Sequence, residues 1–180
     1  MTYCTDFDLL QYEPNLATEA AMIAQELTAG SGTLDANRLA IHSALPAISS
    51  KLLVGAIAVV GGAVGGSFPI ERAPAGSKPV PTLVLTMKGL ADRLPTPAQF
   101  SVRTFYPHRR VISDLLRGLR ASSRNAAMPT HDDAALRRAC SLGTLHLIYS
   151  TLATAVHDRA DLLIRAQVYQ QLYRKSLKNI

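Results

Sequence analysis

Nineteen consecutive residues, Leu52–Ile70, carry no charge. Such a run admits three structures: a membrane span, a phosphate-cradling loop, or two strands joined by a glycine-rich turn. A span needs about 20 mostly apolar residues. The run is nearly long enough, but five glycines and Pro69 interrupt it, and its flanks show neither an aromatic belt nor a basic bias. A Walker-type loop needs a Lys after its glycines. Here Gly61-Gly-Ala-Val-Gly-Gly66 is followed by Ser67-Phe-Pro-Ile70, with no Lys and no helix start, and the dinucleotide pattern G-x-G-x-x-G is not met. Two strands fit better. Ala56, Ala58 and Val60 fall on one face and Ile57 and Val59 on the other, so the strand is expected to be covered on both sides. Glycine supplies the positive φ that a tight turn asks for. Leu52–Val60 and Ser67–Arg72 are therefore expected to be adjacent strands, with Gly61–Gly66 between them and no membrane span. So apolar a tip (Gly61, Gly62, Val64, Gly65, Gly66) suggests contact with a neighbouring subunit.

Around this run the chain divides into three. Residues 1–32 read as helical. Thr5 and Asp6 are cap candidates for a short turn over Phe7–Tyr12, and a helix is expected from Pro14 to about Ala29, with Leu16, Ala20, Ile23 and Leu27 at helical spacing and Gly30-Ser-Gly32 as its stop. Residues 33–106 are richer in Pro, Gly, Val and Thr. Leu39–Ser43, Thr82–Thr86 and Ser101–Phe105 join the two strands above, and short strands at this spacing predict a small antiparallel barrel or sandwich. Residues 107–180 return to helix. Val111, Leu115, Leu116 and Leu119 form one face of a helix starting at Pro107. Residues 121–130 read as a linker. A helix capped near Thr130 runs to about Val156, and another starts near Asp158 with Leu162, Ala166, Tyr169, Tyr173 and Leu177 as one stripe. The short joint between these two predicts an antiparallel hairpin. The expected class is α+β: an N-terminal helix, a central β-barrel or sandwich and a C-terminal helical bundle, together one compact unit with a β subdomain.

Apolar residues at 48% and charged residues at 18% suffice for a core and exclude a disordered chain. So few charges also point to surface covered by other subunits. Cys4 and Cys140 are far apart and outside any C-x-x-C pattern, so two reduced thiols are expected rather than zinc or dithiol chemistry. The polar, acidic opening of the chain gives no sign of a signal peptide. The five histidines, His42, His108, His131, His146 and His157, show no metal-ligand spacing, and His146, between two leucines, reads as a core or interface histidine. No carboxylate pair, G-x-S-x-G elbow or metal motif appears, so the sequence offers no case for an enzyme, a cofactor or a metal.

The net charge is +6 with a pI near 9.6. Arg103, Arg109, Arg110, Arg117, Arg120 and Arg124 cluster between the last expected strand and the linker. Arg109, Arg110, Arg117 and Arg120 are the candidate contacts to DNA phosphates or to a channel lumen. A basic nucleic-acid-binding module is thus one reading of the chain.

A second comes from resemblance. Thr5-Asp-Phe-Asp-Leu-Leu-Gln-Tyr-Glu-Pro-Asn-Leu16 resembles the opening of tailed-bacteriophage neck proteins, which begin Tyr-x-Thr-x-x-Asp-Leu and continue into a helix. Ala135–Leu142 through Leu147-Ile-Tyr149, together with Ala166–Arg174, resembles their closing helical hairpin. The matches cover roughly the first 30 and last 50 residues, and the β-rich middle departs from the all-helical members. The resemblance implies a head–tail connector or adaptor: a non-enzymatic virion protein, made in the host cytoplasm, forming a homo-oligomeric ring between portal and tail around a DNA channel. Apolar helical faces would then be subunit interfaces, and the basic excess would suit the lumen.

Overall fold

The computed structural model describes residues 2–42, 53–62, 65–73, 82–86, 95–122, 133–156, 159–178 and 180. Of the expected features, Val64, Arg124, His131, His157, Asp158 and the Thr130 cap lie outside them. Two compact units emerge: Pro14–Thr104, and Met1–Glu13 with Phe105–Ile180. The first 32 residues are thus shared between the units rather than forming one helical segment.

The unit Pro14–Thr104 is a closed barrel. After a short helix, α2 (Leu16–Glu19), come β1 (Gln25–Asp35), β2 (Arg38–Ile41), β3 (Ile57–Val60), β4 (Gly66–Arg72), β5 (Thr82–Leu85) and β6 (Thr96–Thr104). Their order around the barrel is β1-β2-β5-β4-β3-β6, and every neighbouring pair is antiparallel. Alternate residues point inward, as a strand requires: Leu39 and Ile41, Leu83 and Leu85, and Ala98, Phe100 and Val102 fill the interior. A barrel this small is filled by its own side chains. The glycine-rich run behaves as expected in outline. β3 pairs with β4 from Ile57↔Pro69 to Val60↔Gly66, Gly62 has φ +94°, and the Gly65 amide donates to the Gly62 carbonyl at 3.0 Å. Ala58 and Val60 of β3 line the core, while on the opposite face Ile57 is buried and Val59 partly so, with α2 packing on this strand. The strand begins later than expected, because Val54 and Gly55 form a turn before it.

The expected helix Pro14–Ala29 is a correction. It ends at Glu19, and Gln25–Asp35 is the longest strand of the barrel. β1 pairs with β6 along nearly its whole length and with β2 at its end, so two ladders outweigh a weak helical period. Gly32, expected to stop a helix, sits in mid-strand, where a Cβ would run into the Ala40 carbonyl oxygen.

The other unit is helical: α1 (Asp6–Leu10), α3 (Tyr106–Ser122), α4 (Asp133–Ala155) and α5 (Ala160–Leu177). Thr5 caps α1 reciprocally. Its hydroxyl accepts from the Asp8 amide at 3.3 Å, and the Asp8 carboxylate accepts from the Thr5 amide at 2.7 Å. α4 is the central helix, buried around most of its circumference. α5 runs antiparallel along it, as expected: Arg165 reaches the Tyr149 hydroxyl at 3.0 Å, and Tyr173 meets Gly143 two turns earlier on α4. The rings of Tyr149 and Tyr169 stack at 5.7 Å. At Gly143 a Cβ would fall 2.9 Å from Ile112 on α3 and 3.0 Å from Tyr173 on α5, so this glycine lets three helices approach.

Candidate functional site

The candidate arginines all lie on α3, and helical phase separates them. Arg109 shares a face with Ile112, Ser113 and Leu116 at i, i+3, i+4 and i+7, the face that is buried. Its Nε lies 2.8 Å from Asp6 Oδ1, and its Nη1 donates to the Cys4 carbonyl at 2.7 Å and to the Thr2 hydroxyl at 3.3 Å. Asp6 is fully buried and also accepts from the Phe105 amide at 3.1 Å. Arg109 is therefore corrected from a surface phosphate contact to the buried counter-charge of Asp6. It fixes the start of α3 to the N-terminal segment.

Arg110, Arg117 and Arg120 are exposed. Asp114 sits between the first two: Arg110 Nε lies 3.9 Å from its carboxylate, and Arg117 is ion-paired with it. The Arg117 guanidinium also lies 5.8 Å from the Tyr3 ring centroid. Such surface pairs contribute little stability, but they orient two of the three cations and reduce the strip's net charge.

Beside this strip the outcome differs from the single leucine face expected. Leu116 is buried with Ile112, but Val111, Leu115 and Leu119 are about half exposed, at 51%, 55% and 52%. They form a second i, i+4, i+8 stripe along one wall of an open groove of about 710 Å³. Gly118 leaves a gap in that wall, since a Cβ there would meet nothing within 4 Å, and Tyr173 of α5 also lines the groove. α5 carries a similar outward stripe: Ile164, Val168 and Leu172, exposed at 60%, 47% and 38%, with Leu163 beside them. The inner stripe Leu162, Ala166, Tyr169 and Tyr173 packs as expected. The signal for the outer stripes was present in the sequence, because each helix carries apolar residues over more of its circumference than one neighbouring helix covers.

The glycine loop belongs to the barrel unit. Gly61, Gly62 and Gly65 are exposed and Gly66 is half-buried, where a Cβ would meet the Phe68 ring at 2.7 Å.

Inside the helical unit Cys4 and Cys140 come together despite their separation in sequence. Both are free and buried. The Ser113 hydroxyl lies 3.4 Å from Cys140 Sγ and accepts from the Tyr3 amide at 3.1 Å. A hydrogen bond to Cys140, reinforced by burial, pushes the Cys4 thiol well above its ordinary range. His146 bridges α4 and α5, its Nδ1 lying 3.0 Å from the Ala166 carbonyl. Burial lowers His108. The Tyr169 hydroxyl donates to Glu13 at 2.6 Å, and burial, then that bond, raises its pKa far above the ordinary value.

Among the described residues no three His, Cys, Asp or Glu side chains are grouped to hold a metal, and no helix is long and apolar enough to cross a membrane. Comparison with protein-family models, with curated proteins and with solved structures returns no match to this chain.

Proposed function

We propose that this chain is a structural subunit of a tailed-bacteriophage head–tail connector or adaptor, assembling as a homo-oligomeric ring between portal and tail around the DNA channel. The observation that carries the reading is the exposed aliphatic surface on α3 and α5, arranged at helical spacing on a rigid bundle. Stripes of this kind mark protein–protein contacts. The resemblance of Thr5–Leu16 and of the α4–α5 hairpin to neck proteins supports this class of assembly. The exposed arginines of α3 suit a surface near DNA phosphates, and the glycine loop Gly61–Gly66 offers a further subunit contact. In this reading the protein is made in the host cytoplasm, works in the virion and needs no cofactor.

The test is co-assembly with the portal protein of the same phage, followed by electron microscopy of the mixture. A ring stacked on the portal supports the reading. A chain that stays monomeric and has no affinity for portal or tail proteins overturns it. The exposure of Arg110, Arg117 and Arg120 also favours a nucleic-acid-binding module. That reading predicts a monomer whose DNA affinity falls steeply with salt and is weakened uniformly by Arg110→Ala or Arg117→Ala.

A further inference from the structure

The two aliphatic stripes differ in form. On α3, Val111, Leu115 and Leu119 line a groove with a gap at Gly118. On α5, Ile164, Val168 and Leu172 stand out from the helix as a ridge, flanked by Gln167 and Gln171 on one side and by Arg165, which lies 3.6 Å from Glu13, on the other. Each stripe has three rungs at i, i+4 and i+8, so each spans about 12 Å at the rise of an α-helix. Rows of side chains four residues apart are those that interdigitate when helices pack as ridges into grooves.

We infer that the groove on α3 receives the α5 ridge of a second copy of this chain, in a head-to-tail contact. The inference rests on the ring reading and specifies which faces meet. Three observations favour this occupant. The first is area: the six rungs expose on the order of 500 Å² of aliphatic surface, the scale of the apolar centre of a standard interface of about 1,600 Å² with a polar rim. The second is charge. Groove-to-groove pairing would bring Arg110 and Arg117, which border the groove at Asp114, of two copies together, with Asp114 of each as the acid on that face, and like charges across an interface are costly. The ridge has Gln167 and Gln171 on one flank, and its one flanking cation, Arg165, is already paired with Glu13, so seating it in the groove brings fewer like charges together and gives the glutamines Asp114 and Ser122 as partners on the groove wall. The third is symmetry: two different faces on one chain make a heterologous contact, which repeats around a ring, whereas one self-complementary face stops at a dimer.

A complementation experiment separates these cases. Leu115→Asp disables the groove and leaves the ridge; Val168→Asp disables the ridge and leaves the groove. Both sites are exposed, so both variants should fold, as helical ellipticity will report. If either charge variant does not fold, Gly118→Leu fills the groove without charge and Leu172→Gln blunts the ridge. Native mass spectrometry is expected to show each variant alone as a 19.3 kDa monomer and their equimolar mixture as a one-to-one heterodimer of twice that mass. The dimer goes no further, because one intact groove and one intact ridge remain and they are already engaged. Self-association of either variant alone, a mixture that stays monomeric, or wild-type-like assembly by both overturns the inference. The last of these leaves the ring itself standing, so failure of the pairing is distinguishable from failure of the proposed function. A heterodimer formed by a protein that does not bind portal or tail would instead uphold the pairing and remove the connector.

Discussion

Replacing Asp6 by Ala tests what holds the helical unit together. Asp6 is fully buried, its Oδ1 accepts from the Phe105 amide and lies 2.8 Å from the Arg109 Nε as an ion pair, and the Arg109 side chain is itself only 9% exposed. Without the carboxylate, the guanidinium keeps its bonds to Cys4 and Thr2 but loses its counter-charge, and the Phe105 amide loses its acceptor. An uncompensated buried charge costs roughly 3–5 kcal/mol. At about 4–8 °C per kcal/mol for a domain of this size, the helical unit should melt more than about 10 °C lower. Asp6→Asn keeps an acceptor for the amide and should cost less. The informative variant is the double one. Asp6→Ala with Arg109→Met removes both charges and should recover much of the loss, since the penalty lies in the orphaned partner. The assay is urea unfolding followed by helical ellipticity. A cost below about 1 kcal/mol for Asp6→Ala, or strictly additive costs in the double variant, would refute the reasoning.

Three further outcomes follow from the packing. Gly32→Ala drives a methyl group into the Ala40 carbonyl and should destabilise the barrel unit by about 1–3 kcal/mol, read as faster amide exchange across β1 and β2. At alkaline pH the Tyr169 phenol ionises near 10 when unfolded but higher when folded, where burial and Glu13 oppose its ionisation. The native state therefore holds the extra proton above pH 10, so stability is fully present below that pH and falls as pH rises beyond it; Tyr169→Phe should flatten that decline in a pH series of unfolding curves. Cys4 and Cys140 should resist a thiol reagent such as iodoacetamide in the native protein and react in urea, because burial keeps the reagent from both sulfurs; labelling of the native protein at the unfolded rate would contradict their placement.

The barrel was legible in the sequence where strands alternate strongly. Thr82–Leu85 and Ser101–Thr104 point Leu and Val inward, and the charge-free run divided at its glycines into two paired strands. β1 was not legible, because of its inward positions Thr28, Gly30, Gly32 and Leu34 only the last is aliphatic, while Leu16, Ala20, Ile23 and Leu27 fall by chance at helical spacing. The long C-terminal helices were read correctly as a hairpin from their stripe of Leu162, Ala166 and Tyr169. On α3 the residue types were read without their phase. Arg109 looked like its neighbour Arg110, yet one step along the helix turns it about 100°, from solvent to the Asp6 carboxylate. The same step separates buried Leu116 from exposed Leu115. Contacts between distant segments, such as Asp6 with Arg109 or Cys4 with Cys140, have no local pattern to announce them.

The proposed ring is open to direct inspection by electron microscopy of the purified wild-type protein over a range of concentrations. Closed rings of one uniform size are expected at high concentration. Monomers at every concentration, or open filaments that never close, would contradict it.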